Sequence, residues 1–138
     1  MPEQFTFSFT EPINPEMLQL LYQQVDWAAS RSPLEIQHML DNSQLTLGVW
    51  DDDKLIGFAR VITDNIYRAW IEDVIVDKAY HQQGVGSHIV DKLLKRLEHI
   101  EEVTLNCVAE LIPFYETHGF KSKTVASMHI TYPKTNTT

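Results

Sequence analysis

Gly84 and Gly86 stand where a short polar loop passes into a long amphipathic stretch, and there the residue types first suggest chemistry. The loop Lys78-Ala79-Tyr80-His81-Gln82-Gln83 follows the apolar run Val74-Ile75-Val76-Asp77. Beyond Gly86, Ile89, Val90, Leu93, Leu94, Leu97 and Ile100 recur three or four apart, a spacing that predicts a helix. Glycine lets the backbone turn tightly and approach a ligand closely. The first amides of a helix have no internal partners and sit at the positive end of its dipole. A helix opened this way is an anion site, and phosphate is its usual occupant.

Spacing discriminates among phosphate loops. A P-loop needs Lys followed by Ser or Thr after the second glycine, and Ser87-His88 stands there instead. A dinucleotide fingerprint needs a third small residue where Ile89 lies, and a first glycine close behind the strand. Here Lys78 to Gln83 separate Asp77 from Gly84, so neither pattern fits.

Other reactive residue types give weaker signals. Asp51-Asp52-Asp53 reads as a solvated acidic turn rather than a metal site, since no matching ligand spacing follows. His38, His88, His99, His118 and His129 show no ligand spacing with one another or with Cys107, so no metal is expected. An acyl-cysteine route through Cys107 lacks a base beside it in sequence, and a lone cysteine reads as a small core hydrophobe.

The elements that must position these residues follow from period and punctuation. At 138 residues the chain is expected to form one domain, 1–138, with 133–138 frayed. Phe5, Phe7 and Phe9 alternate with polar neighbours as a first strand. Asn14-Pro15 caps a helix with Met17, Leu18, Leu21, Tyr22 and Val25 on one face, and Ser32-Pro33 starts a second that ends near Asp41-Asn42. Strands are expected at Leu45 to Val49, at Leu55 to Thr63 with a bulge at Gly57, and at Tyr67 to Val76. Further strands are expected at Val103 to Val108 and Ala126 to Tyr132, with a helix from Ala109 to His118 closed by Gly119 between them.

Composition narrows the partners. A formal net charge of −8 disfavours nucleic acid, which needs clustered Lys and Arg. No apolar run reaches the length of a membrane span, and the N-terminus lacks a basic region followed by an apolar one. With one cysteine there is no internal disulfide, which suits a reducing compartment; a cytoplasmic protein is expected.

His81-Gln82-Gln83-Gly84-Val85-Gly86 resembles the acyl-CoA pyrophosphate loop of the GNAT superfamily of N-acetyltransferases, Gln/Arg-x-x-Gly-x-Gly/Ala. His81 departs from that pattern and loses a fixed charge. Three further stretches are similar to the family: Val74 to Tyr80 to its V-x-V-D-x-x-Y, Gly57 to Arg60 to its G-x-A-R, and Phe114 to Phe120 to its F-Y-x-x-x-G-F. Trp70 to Asp77 is closest to the small aralkylamine (serotonin-type) N-acetyltransferase-like branch. The resemblance implies an α/β (α+β) GNAT acyl-CoA N-acyltransferase fold, with a mixed central sheet of six to seven strands flanked by about four helices.

It also implies acetyl-CoA as cosubstrate and acetyl transfer to the primary amine of a small molecule. Gln82, Gln83, Gly84, Val85, Gly86 and Ser87, with His81, would take the pyrophosphate. The backbone of Val74, Ile75 and Val76 would hold the pantetheine arm as an added strand, and the Val76 amide would polarise the acetyl carbonyl. By the same match Tyr115 is the acid that protonates the departing thiolate, while Asn106 and Phe114 lie along the cofactor arm. An incoming amine must also lose a proton. Glu72 and Asp73 precede the cofactor strand, and strand alternation points them to opposite faces, with Glu72 sharing the parity of Val74 and Val76. Arg60, Tyr67, Arg68 and Trp70 lie near the acceptor side. Homodimers are frequent in the family. A non-catalytic acyl-CoA-binding module and a protein or peptide N-acetyltransferase are the alternatives on this fold.

Overall fold

The structure is a computed structural model that describes residues 4–133. Its elements are β1 (Thr6–Ser8), α1 (Pro15–Tyr22), α2 (Pro33–Asn42), β2 (Leu45–Asp51), β3 (Lys54–Thr63), β4 (Arg68–Val76), α3 (Val85–Arg96), β5 (Glu102–Thr104) and α4 (Ile112–Glu116), with single 3-10 turns at Asp26–Ala28, Lys78–Tyr80 and Ala109–Leu111. The chain divides into two compact units, Met1–Asn106 and Cys107–Thr138.

In the first unit the strands lie in sequential order, β1-β2-β3-β4-β5. The first three pairings are antiparallel, and β5 joins β4 in parallel through the α3 crossover. Helix starts follow the expected chemistry. Asn14 Oδ1 accepts from the Met17 amide and Ser32 Oγ from the Glu35 amide, each cap followed by a proline at the first helical position. Leu18, Leu21 and Tyr22 of α1, Ala28, and Ile36 of α2 pack on Trp50, Leu55, Phe58 and Ile75 of the sheet. On the opposite face α3 buries Val85, Ile89, Val90 and Leu93. Gly57 lets that helix come close: a Cβ there would lie 3.2 Å from the Val49 side chain and 3.3 Å from Ile89 Cδ1.

Two register shifts bend the sheet. Val49 pairs with Gly57 but Trp50 with Leu55, so Ile56 is an extra residue in β3, beside the expected bulge. Phe58 pairs with Ile75 but Arg60 with Glu72, so β4 carries one residue more than β3 between those rungs. Asp73 in that bulge has a φ of 56°, the left-handed region that Asp tolerates better than most side chains.

The second unit holds α4, with Gly119 at a φ of 95° just past its end. Three expectations are corrected. The sheet among the described residues has five strands, not six to seven. The fifth is Glu102–Thr104, shorter than Val103 to Val108. Ala126 to Tyr132 joins no strand, and Met128, Ile130 and Tyr132 are exposed. Alternation expresses a preference for extended backbone, but a strand exists only where a neighbour takes its hydrogen bonds. The expected frayed tail lies, beyond Pro133, outside the described residues. Among those residues no helix is long and apolar enough to cross a membrane.

Ile89→Ala is expected to cost about 2–5 kcal/mol in a urea titration, because a fully buried side chain leaves a cavity between α3 and the sheet. Leu20→Ala, on the exposed face of α1, should change stability by no more than about 0.5 kcal/mol.

Candidate active site

The polar loop after β4 is shaped by two left-handed residues. Gln82 has a φ of 64° and Gly84 a φ of 82°, and Gly84 is the N-cap of α3 with no side chain capping the helix. Left-handed residues alternating along a loop turn successive amides toward one side and form a concavity for anions. The amides of Val85, Gly86 and Ser87 follow in the first helical turn, where the dipole adds to the same field. Gly86 itself lies within the helix without a positive φ.

The approach to this loop is pinned. Asp77 Oδ1 accepts from the Ala79 amide at 2.8 Å, and Tyr80 donates its hydroxyl to Asp51 Oδ2 at 2.6 Å. His81 Nε2 lies 2.9 Å from the Val76 carbonyl, which only accepts, so this nitrogen carries the ring proton. His81 therefore ties the loop back to the strand, a different bond from the cofactor contact expected for it.

β4 and β5 part early. Their parallel ladder consists of Arg68–Glu102, Ala69–Val103 and Trp70–Thr104, and it stops there. Glu72 to Val76 continue beside β3 with no β5 rung. Val74, Ile75 and Val76 line this stretch, and Ile75 also packs into the core beneath α1 and α2.

The bulge changes where the two acidic residues point. Glu72 pairs with Arg60 and Ile75 with Phe58, so Glu72 shares a sheet face with Ile75 and not with Val74 and Val76. Asp73 reaches the same side, where Asp73 Oδ2 accepts from Tyr22 Oη at 2.8 Å, Arg31 Nη1 at 2.9 Å and Arg60 Nε at 2.8 Å. The expected opposition of the two side chains is thus corrected, because simple alternation fails across an inserted residue.

Their environments drive the two carboxyls apart. Burial alone would raise the Asp73 pKa, but the hydrogen bonds and charges of Arg60 and Arg31 outweigh it and hold the group below its ordinary range. Glu72 is half-buried; its pKa is raised by desolvation and then by the Asp73 charge, against the opposing pull of Arg60 and Arg31. Tyr22 is pushed upward by burial and by the Asp73 carboxylate, so its phenol stays a donor. The Arg31 guanidinium also lies 4.7 Å from the Tyr22 ring centroid and 5.6 Å from that of Trp27. Arg31 and Tyr22 went unrecognised in the sequence because they stand 42 and 51 residues from Asp73, with no local pattern joining them. Arg60 is engaged by Asp73, and Arg68 by Glu101 and Glu102, while Tyr67 and Trp70 are exposed.

The second unit carries Tyr115, buried at 8% exposure against Phe114 and Phe120. Its pKa is raised by burial and then by Cys107. Asn106, the last residue of the first unit, is exposed and lies past the end of β5 rather than on it. Cys107 is exposed, not a core hydrophobe. Among the described residues no three His, Cys, Asp or Glu side chains converge as a metal would require.

The turned loop before α3, the part of β4 without β5 rungs and half-buried Glu72 lie on consecutive segments of the chain, and sequence comparison names the family. The profile of the Acetyltransferase (GNAT) family matches residues 7–120, and the chain belongs to that family. It is 35% identical over 127 residues to the ycf52-like N-acetyltransferase of Prochlorococcus marinus, covering 86% of this chain and 69% of the relative. It is 31% identical over 134 residues to a Glycine max protein named Histone acetyltransferase TAP1, covering 87% of this chain and 57% of that one. A crystal structure from meticillin-resistant Staphylococcus aureus, titled a probable acetyltransferase, superposes with a TM-score of 0.81 at 25% identity, over 93% of this chain and 99% of the other.

Asp73→Asn takes from Arg60 and Arg31 the carboxylate to which they are bound and is expected to cost about 3 kcal/mol at pH 7. The folded pKa of Asp73 lies below its unfolded value, so its contribution is present above the unfolded pKa and is lost as pH falls through the folded one. In urea titrations, the gap between wild type and variant should therefore narrow below about pH 4.

Proposed function

We propose that this protein transfers acetyl directly from acetyl-CoA to the primary amine of a small molecule. The observation that carries the reading is the pairing of an uncapped, left-handed-turned helix entrance with a β4 edge free of β5 rungs, on consecutive segments of a GNAT family member. Amides from Gln82 to Ser87 would hold the diphosphate, with Gln83 in the loop between the two left-handed residues. The backbone of Val74, Ile75 and Val76 would hold the pantetheine arm, and the Val76 amide would face the acetyl carbonyl. Asn106 and Phe114 are assigned to the cofactor arm by family resemblance.

Chemically, the amine nitrogen forms a bond to the acetyl carbon, the carbon–sulfur bond breaks, and two protons must move. Glu72 is the better base. Desolvation raises its proton affinity toward the working range, whereas Asp73 is held ionised by two guanidiniums. Tyr115 supplies the proton for the thiolate in this reading, and its raised pKa keeps the phenol protonated until transfer. An aralkylamine is the acceptor class suggested by the Trp70 to Asp77 resemblance, in a cytoplasmic setting. The name of the Glycine max relative favours a second reading, in which the acceptor is a lysine side chain of a protein.

Free-thiol release with acetyl-CoA across arylalkylamines, polyamines, aminoglycosides, amino acids and lysine peptides decides between them. Turnover confined to small amines supports the first reading, and turnover confined to peptides supports the second. Acetyl-CoA binding without turnover of any amine would leave a non-catalytic binding module. Tyr115→Phe is expected to lower kcat by roughly 100-fold or more with acetyl-CoA affinity retained. Unchanged turnover would remove the acid role. Gly84→Val forces a β-branched residue into a left-handed conformation at the helix entrance, and calorimetry should find coenzyme A binding weakened by roughly tenfold or more.

A further inference from the structure

Asp73 has no rung partner in β3, and one of its carboxylate oxygens, Oδ2, gathers donors from three separate segments: Tyr22 of α1, Arg31 of the α1–α2 connection and Arg60 of β3. The carboxylate side chain is only 4% exposed. It stands at the inserted residue of β4, directly beside Glu72, in a left-handed conformation that an ordinary strand residue would avoid.

We propose that Asp73 is a positioning residue for Glu72, tying α1, the α1–α2 connection and β3 to the bulge so that the Glu72 carboxyl and its two guanidinium neighbours keep fixed places during proton transfer from the amine. This inference rests on the acetyltransfer reading given above. Without the bulge Glu72 would fall on the other parity of β4. Without the carboxylate, Arg31 loses its ion pair with β4 and keeps its stacking on Tyr22 and Trp27 and the bond from Gln19 Nε2 to its carbonyl.

The charges around Glu72 come from every element packed there: Asp73 of β4, Arg60 of β3 and Arg31 of the α1–α2 connection, with the Tyr22 phenol of α1 held neutral. Asp73 opposes ionisation of Glu72, and the two arginines favour it. Removing a negative or a positive member of a fixed arrangement must therefore move Glu72 in opposite directions. General loosening, which hydrates Glu72, would lower its pKa in both cases.

The test is a carbon-13 carboxylate titration of Glu72 in the full-length wild type, Asp73→Asn and Arg31→Gln, assigned with Glu72→Gln. The Glu72 midpoint is expected to fall by roughly one pH unit in Asp73→Asn and to rise in Arg31→Gln. The acid limb of kcat/KM, measured with acetyl-CoA and the best amine of the panel, should follow each midpoint. Unmoved midpoints, or movement in the same direction in both variants, would overturn the proposal. If Asp73→Asn does not fold, Asp73→Glu, which keeps the charge but displaces the carboxylate by one methylene, takes its place: a shifted Glu72 midpoint and a raised KM for the amine are expected, and an unchanged midpoint with unchanged KM would overturn the proposal. Full turnover in Glu72→Gln would instead sink the base assignment, while the titrations still report on the tether.

Discussion

The first unit depends on one extra residue in β4. A strand that kept perfect register with β3 would alternate its side chains through Glu72, Asp73 and Val74, and one of the two carboxyls would face α3. The insertion sends both to the side where α1 and α2 lie. A bulge leaves groups unpaired and bends the strand, so it persists only where other contacts over-determine it. Here the buried carboxylate of Asp73 supplies such contacts, with three donors from α1, the α1–α2 connection and β3.

That arrangement also divides labour between neighbouring acids. A carboxylate facing two guanidiniums is a poor proton acceptor near neutral pH, however central it sits. Glu72, one residue away, feels the same arginines less than it feels desolvation and the Asp73 charge, and its pKa moves the other way. Proton affinity is thus assigned by geometry across the bulge, since the two residue types alone differ by about half a pH unit.

At the far end of β4 the physics is that of backbone rather than side chains. Gln82 and Gly84 take conformations that turn amides outward, α3 begins without a side-chain cap, and the β4–β5 ladder has already ended. Each feature alone is common. Together they set a helix N-terminus and the part of β4 without β5 rungs along one short path, and in the proposed reading a long phosphorylated diamide would lie there. His81 and Tyr80, bound to Val76 and Asp51, fix where that path begins.

What the sequence determined by itself was local. Asn14-Pro15 and Ser32-Pro33 specify helix starts because capping is chemistry within four residues, and Gly84 marks the turn into α3 because few other residues accept its φ. The apolar spacing of Ile89, Val90 and Leu93 likewise identified the buried face of α3. Tertiary structure alone decided the rest. The alternation from Ala126 to Tyr132 expresses a preference that no neighbouring strand completes among the described residues. The side on which Asp73 lies depends on a register shift against β3, and its partners Tyr22 and Arg31 are distant in the chain. Strand pairing and charge pairing are properties of two segments meeting, and neither segment encodes the other's arrival.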